Sequence, residues 1–411
     1  MIWSSCPYKP KTFLTAYFWY RMINANNYEK QAELLLSLPV VALLPTGRTG
    51  SDYLQALLEN HSEIITFNGH FLVYEEFFDQ SLTMTGDPLS PAHIADEFIG
   101  KMLHKLISKY DVQEGKDMLG ESGNQHFEID TQLFREHFIN LSNFLPMDSR
   151  GILLSIHGAY HLCLGRSIEE VKILLHHPHL EYDARRFIKD FPQSRILYTV
   201  RDTRASLYSQ IANFRRYYPD TNDCESHFVA SLKMNLTGPN LLNDLDLNSF
   251  SVRLEDLPRQ ETLRNLAQWL GIHYQDSLLT PTWAGLMWNG DRLSSRVPSN
   301  AWSATRTMNN WKSELSKRDQ WMLRCLVGSR LKSCDYEDSR PGRIQILSAL
   351  LATVLPFSME LRYLNPSYIF RRITANRNGL LQVLETPYFY VVRIRFCMST
   401  LWREFRRFRY N

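Results

Sequence analysis

Two short stretches carry side chains whose types and spacing could hold a phosphate or sulfate ester. In the first, residues 40–58 (VVALLPTGRTGSDYLQALL), a buried-strand pattern runs into a tight glycine-containing loop and then a helix. Successive backbone N–H groups and the positive helix end then face one concavity, which suits an oxyanion. Gly47 and Gly50 let the main chain curl and approach the anion closely. Arg48 adds a permanent charge whose fork matches phosphate oxygens, and Thr49 and Ser51 add hydroxyls at the helix entrance. The fingerprint G-x-x-x-x-G-K-[ST] is absent, because the loop is short and lacks the Lys. Phosphate cradling is therefore expected, and Mg-dependent nucleotide hydrolysis is not. Taken alone, the segment reads equally well as a structural strand–helix turn with a capping Ser. In the second stretch, residues 195–210 (RILYTVRDTRASLYSQ), a buried strand again runs into a helix. Arg201 stands at the strand's carboxyl end, where open α/β sheets bind ligands. Ser209 follows a little over two helical turns later and can face the same way. The plainer reading of Arg201 is a helix-flanking bridge to Asp202.

A sheet must position these residues, and the rest of the chain supplies its pattern. Pro39–Leu44, Ile64–Phe67, Gly151–Ile156, Arg195–Val200 and Phe250–Arg253 read as short buried strands. Helical patterns fall at Ser51–Glu59, over 92–110 (Ile94, Phe98, Met102, Leu103 and Leu106 on one face), at Ala205–Asn213, and at Arg259–Leu270 closed by Gly271. Strands alternating with helices argue for a mostly parallel sheet covered on both faces. Past the Arg-Pro-Gly of Arg340–Gly342 the pattern becomes amphipathic and Arg-rich, so a boundary is placed there: 1–340 as an α/β domain, 341–411 as a basic, mainly helical extension.

Composition sets the outer limits. With 44% hydrophobic, 22% charged and 12% aromatic residues in 411, the chain is globular, and disorder, collagen-like repeats and coiled coil drop out as whole-chain readings. The net charge of +3 is unevenly placed: residues 361–411 hold ten Arg, no Lys and two acids, leaving the first 360 acidic on balance. The body is therefore not a nucleic-acid binder, while the tail could meet something anionic. Two readings of the tail stand: peripheral contact with an anionic membrane, or a helical appendage packed on the body with its Arg facing solvent. Six Cys without a CxxC pair fit reduced thiols in the cytoplasm. Phe13–Tyr20 is interrupted by Arg21 with no small-residue cleavage site after it, so no signal peptide is read. The apolar run Ile344–Met359 is short for a membrane span, which takes ~20 residues. Sequons at Asn60, Asn140 and Asn235 are no more than chance provides.

Arg48-Thr49-Gly50-Ser51 and Arg201-Asp202-x-Arg204-Ala205-x-x-x-Ser209 together resemble the two nucleotide motifs of the sulfotransferases that use 3′-phosphoadenosine 5′-phosphosulfate (PAPS). In that family the first motif, often R-[ST]-G-[ST]-[ST], holds the 5′-phosphosulfate, and the second, R-D-x-R-A-x-x-x-S, holds the 3′-phosphate through its first Arg and its Ser. Asp52 stands where the family often has Ser, Thr or Phe. Ser251–Ile272 (SVRLEDLPRQETLRNLAQWLGI) resembles the family's next strand–helix, with Leu254 in place of the usual Tyr. Trp311-Lys312, ending the stretch Arg292–Leu315, resembles the end of the loop that closes over the nucleotide, with Arg296 or Arg306 as a contact to the 3′-phosphate. The resemblance spans roughly residues 38–330 in the family's order.

The resemblance implies a P-loop-like α/β sulfotransferase with PAPS as donor. Sulfuryl transfer needs in-line geometry and neutralised leaving-group charge. Arg48, Thr49, Gly50 and Ser51 are placed to absorb that charge, and Arg201 and Ser209 to read the 3′-phosphate. The scheme requires no metal; His176, His177 and His179 are read as loop or sheet-edge residues. A general base must serve the acceptor hydroxyl. His70 is the first choice, released with Asn68 from the end of a strand parallel to the first and beside the loop. His157, ending the GILLSI strand, and Glu75 or Glu76 are the alternatives. A carbohydrate hydroxyl is the expected acceptor, because the Arg-containing loop looks like the carbohydrate and protein-tyrosine types. A nucleotide kinase or NTPase on a related fold, and a non-enzymatic binder of membranes or anionic polymers acting through the tail, are the competing readings. The expected location is cytoplasmic, with membrane association through the tail as a further option.

Overall fold

A computed structural model describes residues 27–45, 47–67, 69, 72–82, 90–107, 118–179, 181–217, 224–237, 242, 245–288, 290, 311–375 and 377–407. Their contacts cluster into two compact units. Unit one comprises Met1–Ala42, Gln55–Arg195 and Ala267–Trp288; unit two comprises Leu43–Leu54, Ile196–Leu266 and Asn289–Asn411.

Five strands form one sheet: β1 (Val40–Pro45), β2 (Ile64–Ile65), β3 (Ile173–His176), β4 (Arg195–Val200) and β5 (Ser249–Arg253). Their order is β2-β3-β1-β4-β5, and the β1–β3, β2–β3 and β4–β5 pairings are parallel. Helices flank the sheet, so the α/β class read from the alternating pattern is the one observed. β1 is buried along its whole length, as a strand covered on both faces must be. After β1 the chain builds to one side with β2 and β3, then crosses to the other with β4 and β5. The switch lies between β1 and β4, and loops leaving the carboxyl ends of such strands flank the usual ligand crevice of an open α/β sheet. The loop at 46–50 and Arg201 leave those two ends.

In unit one, α1 (27–37), the start of β1, β2 and β3 accompany α3 (Pro91–Lys101), α4 (Thr131–Ser142), α5 (Ser149–Cys163) and α6 (Glu181–Asp190). A file of aromatic rings ties the helix Val73–Leu82 through α3 to α4: Phe77 meets Phe98 at 5.4 Å, and Phe98 stacks on Phe134 at 5.6 Å. Three sequence expectations change here. Gly151–Ile156 is helix, not strand: Asp148 caps it by accepting from the Gly151 N–H at 2.9 Å, and the apolar run is one part of α5, which is buried from Gly151 to His161. A continuous apolar run fits a buried strand and a buried helix equally well, and the Asp148 cap was the missed discriminator. The missing strand is β3, hidden in KILLH, and its last residue, His176, is interior to the sheet and not at an edge. β2 covers Ile64–Ile65, shorter than the Ile64–Phe67 expected, and pairs with β3.

In unit two the end of β1, α2 as far as Leu54, β4 and β5 accompany α7 (Thr203–Tyr217), α8 (Glu225–Thr237), α10 (Lys317–Ser333), α11 (Arg343–Ala352), α12 (Pro366–Ala375) and α13 (Gly379–Arg406). Here α2 is Ser51–Leu58, and α9 (Gln260–Leu270) runs across the boundary between the two units. Leu207, Phe228, Leu232, Leu326, Ala349, Cys397 and Leu401 share one core, so residues 341–411 contribute to it directly. Two tail arginines, expected on the solvent face, point inward: Arg372 meets Glu225 at 3.3 Å and Arg393 meets Glu360 at 3.2 Å, both guanidiniums fully buried. Among the described residues no helix is long and apolar enough to cross a membrane.

Candidate anion-binding site at the ends of β1 and β4

The loop after β1 folds as its residue types demand. Gly47 and Gly50 take φ of +105° and +84°, a region that side chains disfavour. Space is equally restrictive: a Cβ on Gly47 would lie 2.7 Å from Asn235 Oδ1, and one on Gly50 would lie 2.4 Å from Leu254 Cδ1. Leu254, at the position where an aromatic was expected, therefore packs under the loop. The Thr49 N–H donates to the Gly47 carbonyl at 2.8 Å, tightening the bend, and the Leu54 N–H donates to the Gly50 carbonyl at 2.9 Å, which starts α2. The first-turn amides of a helix have no partner within it, and here they follow directly on the bend. Thr49 is buried, and its hydroxyl meets that of Thr199 on β4 at 2.8 Å.

Arg201 enters the same place from β4. Its Nη1 donates to the Arg48 carbonyl at 3.2 Å. Burial pulls the Arg201 guanidinium below its ordinary value; the nearby Glu255 carboxylate works against that shift, and the Arg48 cation adds to it. Two permanent cations and the Glu255 carboxylate thus gather at one bend in a partly desolvated setting. Glu255 is shared: it accepts a hydrogen bond from the Tyr336 hydroxyl at 2.6 Å. Arg204, three residues on, has a different job. It pairs with Asp202 at 2.7 Å and Glu337 at 2.5 Å, and its guanidinium lies 4.3 Å over the Trp311 ring. Arg204 makes the close bridge to Asp202, whose charge also favours that of Arg201.

The structure therefore brings together Arg48, Thr49, Gly50, Ser51 and Arg201. Ser209 lies on α7 one turn beyond Ser206, on the same helix face. Ser206 Oγ is 3.0 Å from the position a Gly47 Cβ would take, so this is the face turned to the loop. Thr199, Ser206, Asn235 and Glu255 were not singled out from the sequence. Strand alternation could have found Thr199, two residues before Arg201 on the same face. Asn235 drew notice there as a sequon start; its Oδ1 and the Ser206 Oγ are buried and have no hydrogen-bond partner among the described residues.

The base candidates fall in unit one. His70 lies outside the described residues, as do Arg292, Arg296 and Arg306. His157 is fully buried inside α5, stacked on Phe67 at 4.0 Å and 3.2 Å from His176 Nδ1. Burial, reinforced by the neighbouring His176, holds it well below the usual imidazole range. It is a core residue, removed from solvent and from any acceptor. Glu76 pairs with Lys105, and the amides of Tyr74 and Glu75 donate to Asp183 Oδ1 at 2.9 and 3.1 Å.

No family model matches this sequence, and no curated protein matches it. Among solved structures the chain is similar to the sulfotransferase domain of the olefin synthase of Synechococcus PCC 7002. The identity is 18%, the TM-score 0.36, and the match covers 67% of this chain and 87% of that one. The likeness is too slight for anything to rest on it.

Proposed function

We propose that the chain is a PAPS-dependent sulfotransferase acting on a hydroxyl acceptor. The observation that supports this reading best is the meeting of Arg48 and Arg201 at the loop's bend, with Arg201 bonded to the Arg48 carbonyl. The residues fit the donor's two anionic ends. Arg48, Thr49, Gly50 and Ser51 would hold the 5′-phosphosulfate, and Arg201 with Ser209 would hold the 3′-phosphate. The glycines' closed space would keep the main chain against the ligand. When bound, PAPS supplies an activated sulfuryl group whose leaving group is a phosphate. Arg48 and the helix-entrance amides then face growing negative charge, and a preorganised cation there lowers the barrier without rearranging. His70 is the proposed base for the acceptor oxygen, with Glu75 or Glu76 as the alternative; the burial of His157 argues against it. A carbohydrate is the first acceptor to try, on the strength of the Arg-containing loop.

Calorimetric titration tests the reading against a nucleotide kinase. Adenosine 3′,5′-bisphosphate should bind without added Mg²⁺, and ATP with Mg²⁺ should bind far more weakly. The reverse order would replace the sulfotransferase reading with the kinase one.

A further inference from the structure

The C-terminal helices leave an apolar face uncovered. Sixteen of the twenty-three large hydrophobic side chains exposed among the described residues fall within 344–402, so the exposure is concentrated and not scattered. On α13 the inner face (Arg393, Cys397, Leu401) joins the core of unit two, while Leu384, Tyr388, Val391, Met398 and Trp402 form an outer stripe at helical spacing. On α11 the exposed Ile344, Leu347 and Leu351 follow the same rule, with Ile344 81% and Leu351 80% accessible. The two helices adjoin. The Tyr390 hydroxyl bonds the Val354 carbonyl and Arg393 Nη1 donates to the Thr353 carbonyl at 2.5 Å, which seats the exposed end of α11 beside the middle of α13.

Charge selects the occupant. Arg395, Arg403 and Arg406 are exposed along α13, and the Arg406 guanidinium lies 5.6 Å from the Trp402 ring. Of the acids in 361–411, Glu404 is turned inward to Arg407 and the Ser329 amide, leaving Glu385 as the exposed one. Apolar side chains, interfacial aromatics and an excess of Arg along one surface match the boundary between lipid headgroups and acyl chains. α13 has 28 residues, ample to lie along a bilayer, yet its charges and inner face preclude a span.

We propose that the outer face of α11 and α13 docks on an anionic membrane surface, with the apolar stripe entering the headgroup boundary and the arginines meeting lipid phosphates. This is independent of the nucleotide reading. Truncation is unsuitable as a test, because the tail carries part of the core. The full chain should instead be floated with vesicles of phosphatidylcholine alone, and of phosphatidylcholine containing phosphatidylserine. It should rise with the anionic vesicles and less so as salt increases. Leu384→Glu with Val391→Glu should abolish flotation while the melting temperature stays unchanged, since both positions are exposed. Arg395→Glu with Arg406→Glu should weaken it by at least about fivefold per position. Failure to float with anionic vesicles at low salt would overturn the proposal, as would equal flotation with both compositions. So would a dimer in sedimentation that the Leu384/Val391 variant dissociates while wild type ignores vesicles; that result assigns the face to a second copy of the chain.

Discussion

Two regions of the molecule bury nitrogen bases and treat the proton in opposite ways. In unit one, His157, His161 and His176 are held below the ordinary imidazole range, chiefly by burial, with His161 near 4 and His176 near 3. They are neutral bases; His157 and His176 pack against Phe67, and His161 bonds the Ser167 carbonyl. In unit two the buried bases are arginines, which keep their charge and must be answered. Arg393 is answered by Glu360, Arg372 by Glu225, and Arg204 by Asp202 and Glu337. Arg201 lies in a mixed field: its guanidinium bonds the Arg48 carbonyl, with the Glu255 carboxylate favouring its charge and the Arg48 cation opposing it. A buried neutral base marks a core and a matched cation a structural bridge; the glycine bend, where Arg48, Arg201 and Glu255 gather, is the place proposed for an anion.

The largest expected effect would break the first half of that contrast. The unfolded chain protonates the three histidines as pH falls below about 6.5, whereas the native state does not, so their contribution is present above that pH and is lost in acid. Asp183 runs the other way. Burial raises its carboxyl to about 6, so the native state holds a proton that the unfolded state has released. The histidines outnumber the raised carboxyl, so stability should fall as pH drops from about 6.5. Urea unfolding at a series of pH values checks this; a flat profile from pH 7 to 5 would mean that the imidazoles are charged or solvated in the native state.

Next in size, Arg393→Ala strands Glu360 in the core and should cost about 3–5 kcal/mol, whereas Arg201→Ala, which leaves Glu255 its hydrogen bond from Tyr336, should cost clearly less. If Arg201→Ala is as damaging as Arg393→Ala, Arg201 is a structural bridge and the contrast within unit two collapses.

Smaller again is a kinetic distinction at the loop. Arg48→Ala should lower kcat by more than it weakens product binding, because its charge counts most as the leaving group forms. A change confined to KM would make Arg48 an anchor. In the same assay His70→Ala should lose ~10²-fold or more in turnover and keep its nucleotide affinity. If Glu76→Gln is inactive while His70→Ala stays within a few-fold of wild type, the base is Glu76.

The sequence made the loop legible because its constraints are local: glycines with positive φ, a strand before them and a helix after. β4 and Arg201 were legible for the same reason. α5 was misread because GILLSI is apolar on every side, and a helix buried all round loses the periodicity that separates it from a strand. β3 was obscured by the histidines at its end, whose side chains suggested a polar loop. The neighbours that close the site, Asn235, Ser206 and Leu254 against the glycines, come from elements far apart in the chain, so local pattern could not pair them with the loop. The inward arginines of the tail had no local mark either, because their carboxylates lie 33 and 147 residues away in sequence.

The most direct test of the central claim, that Arg48 and Arg201 form a cradle for a doubly phosphorylated nucleotide, is a paired thermal-shift titration of wild type and Arg201→Ala with adenosine 3′,5′-bisphosphate and with AMP. A ligand at a hundredfold its Kd stabilises by about 2.7 kcal/mol. Wild type should reach that shift at far lower bisphosphate than AMP, and Arg201→Ala should lose about ten- to a hundredfold of the difference, as for one charge-assisted hydrogen bond. Equal shifts for the two nucleotides in wild type would contradict the account.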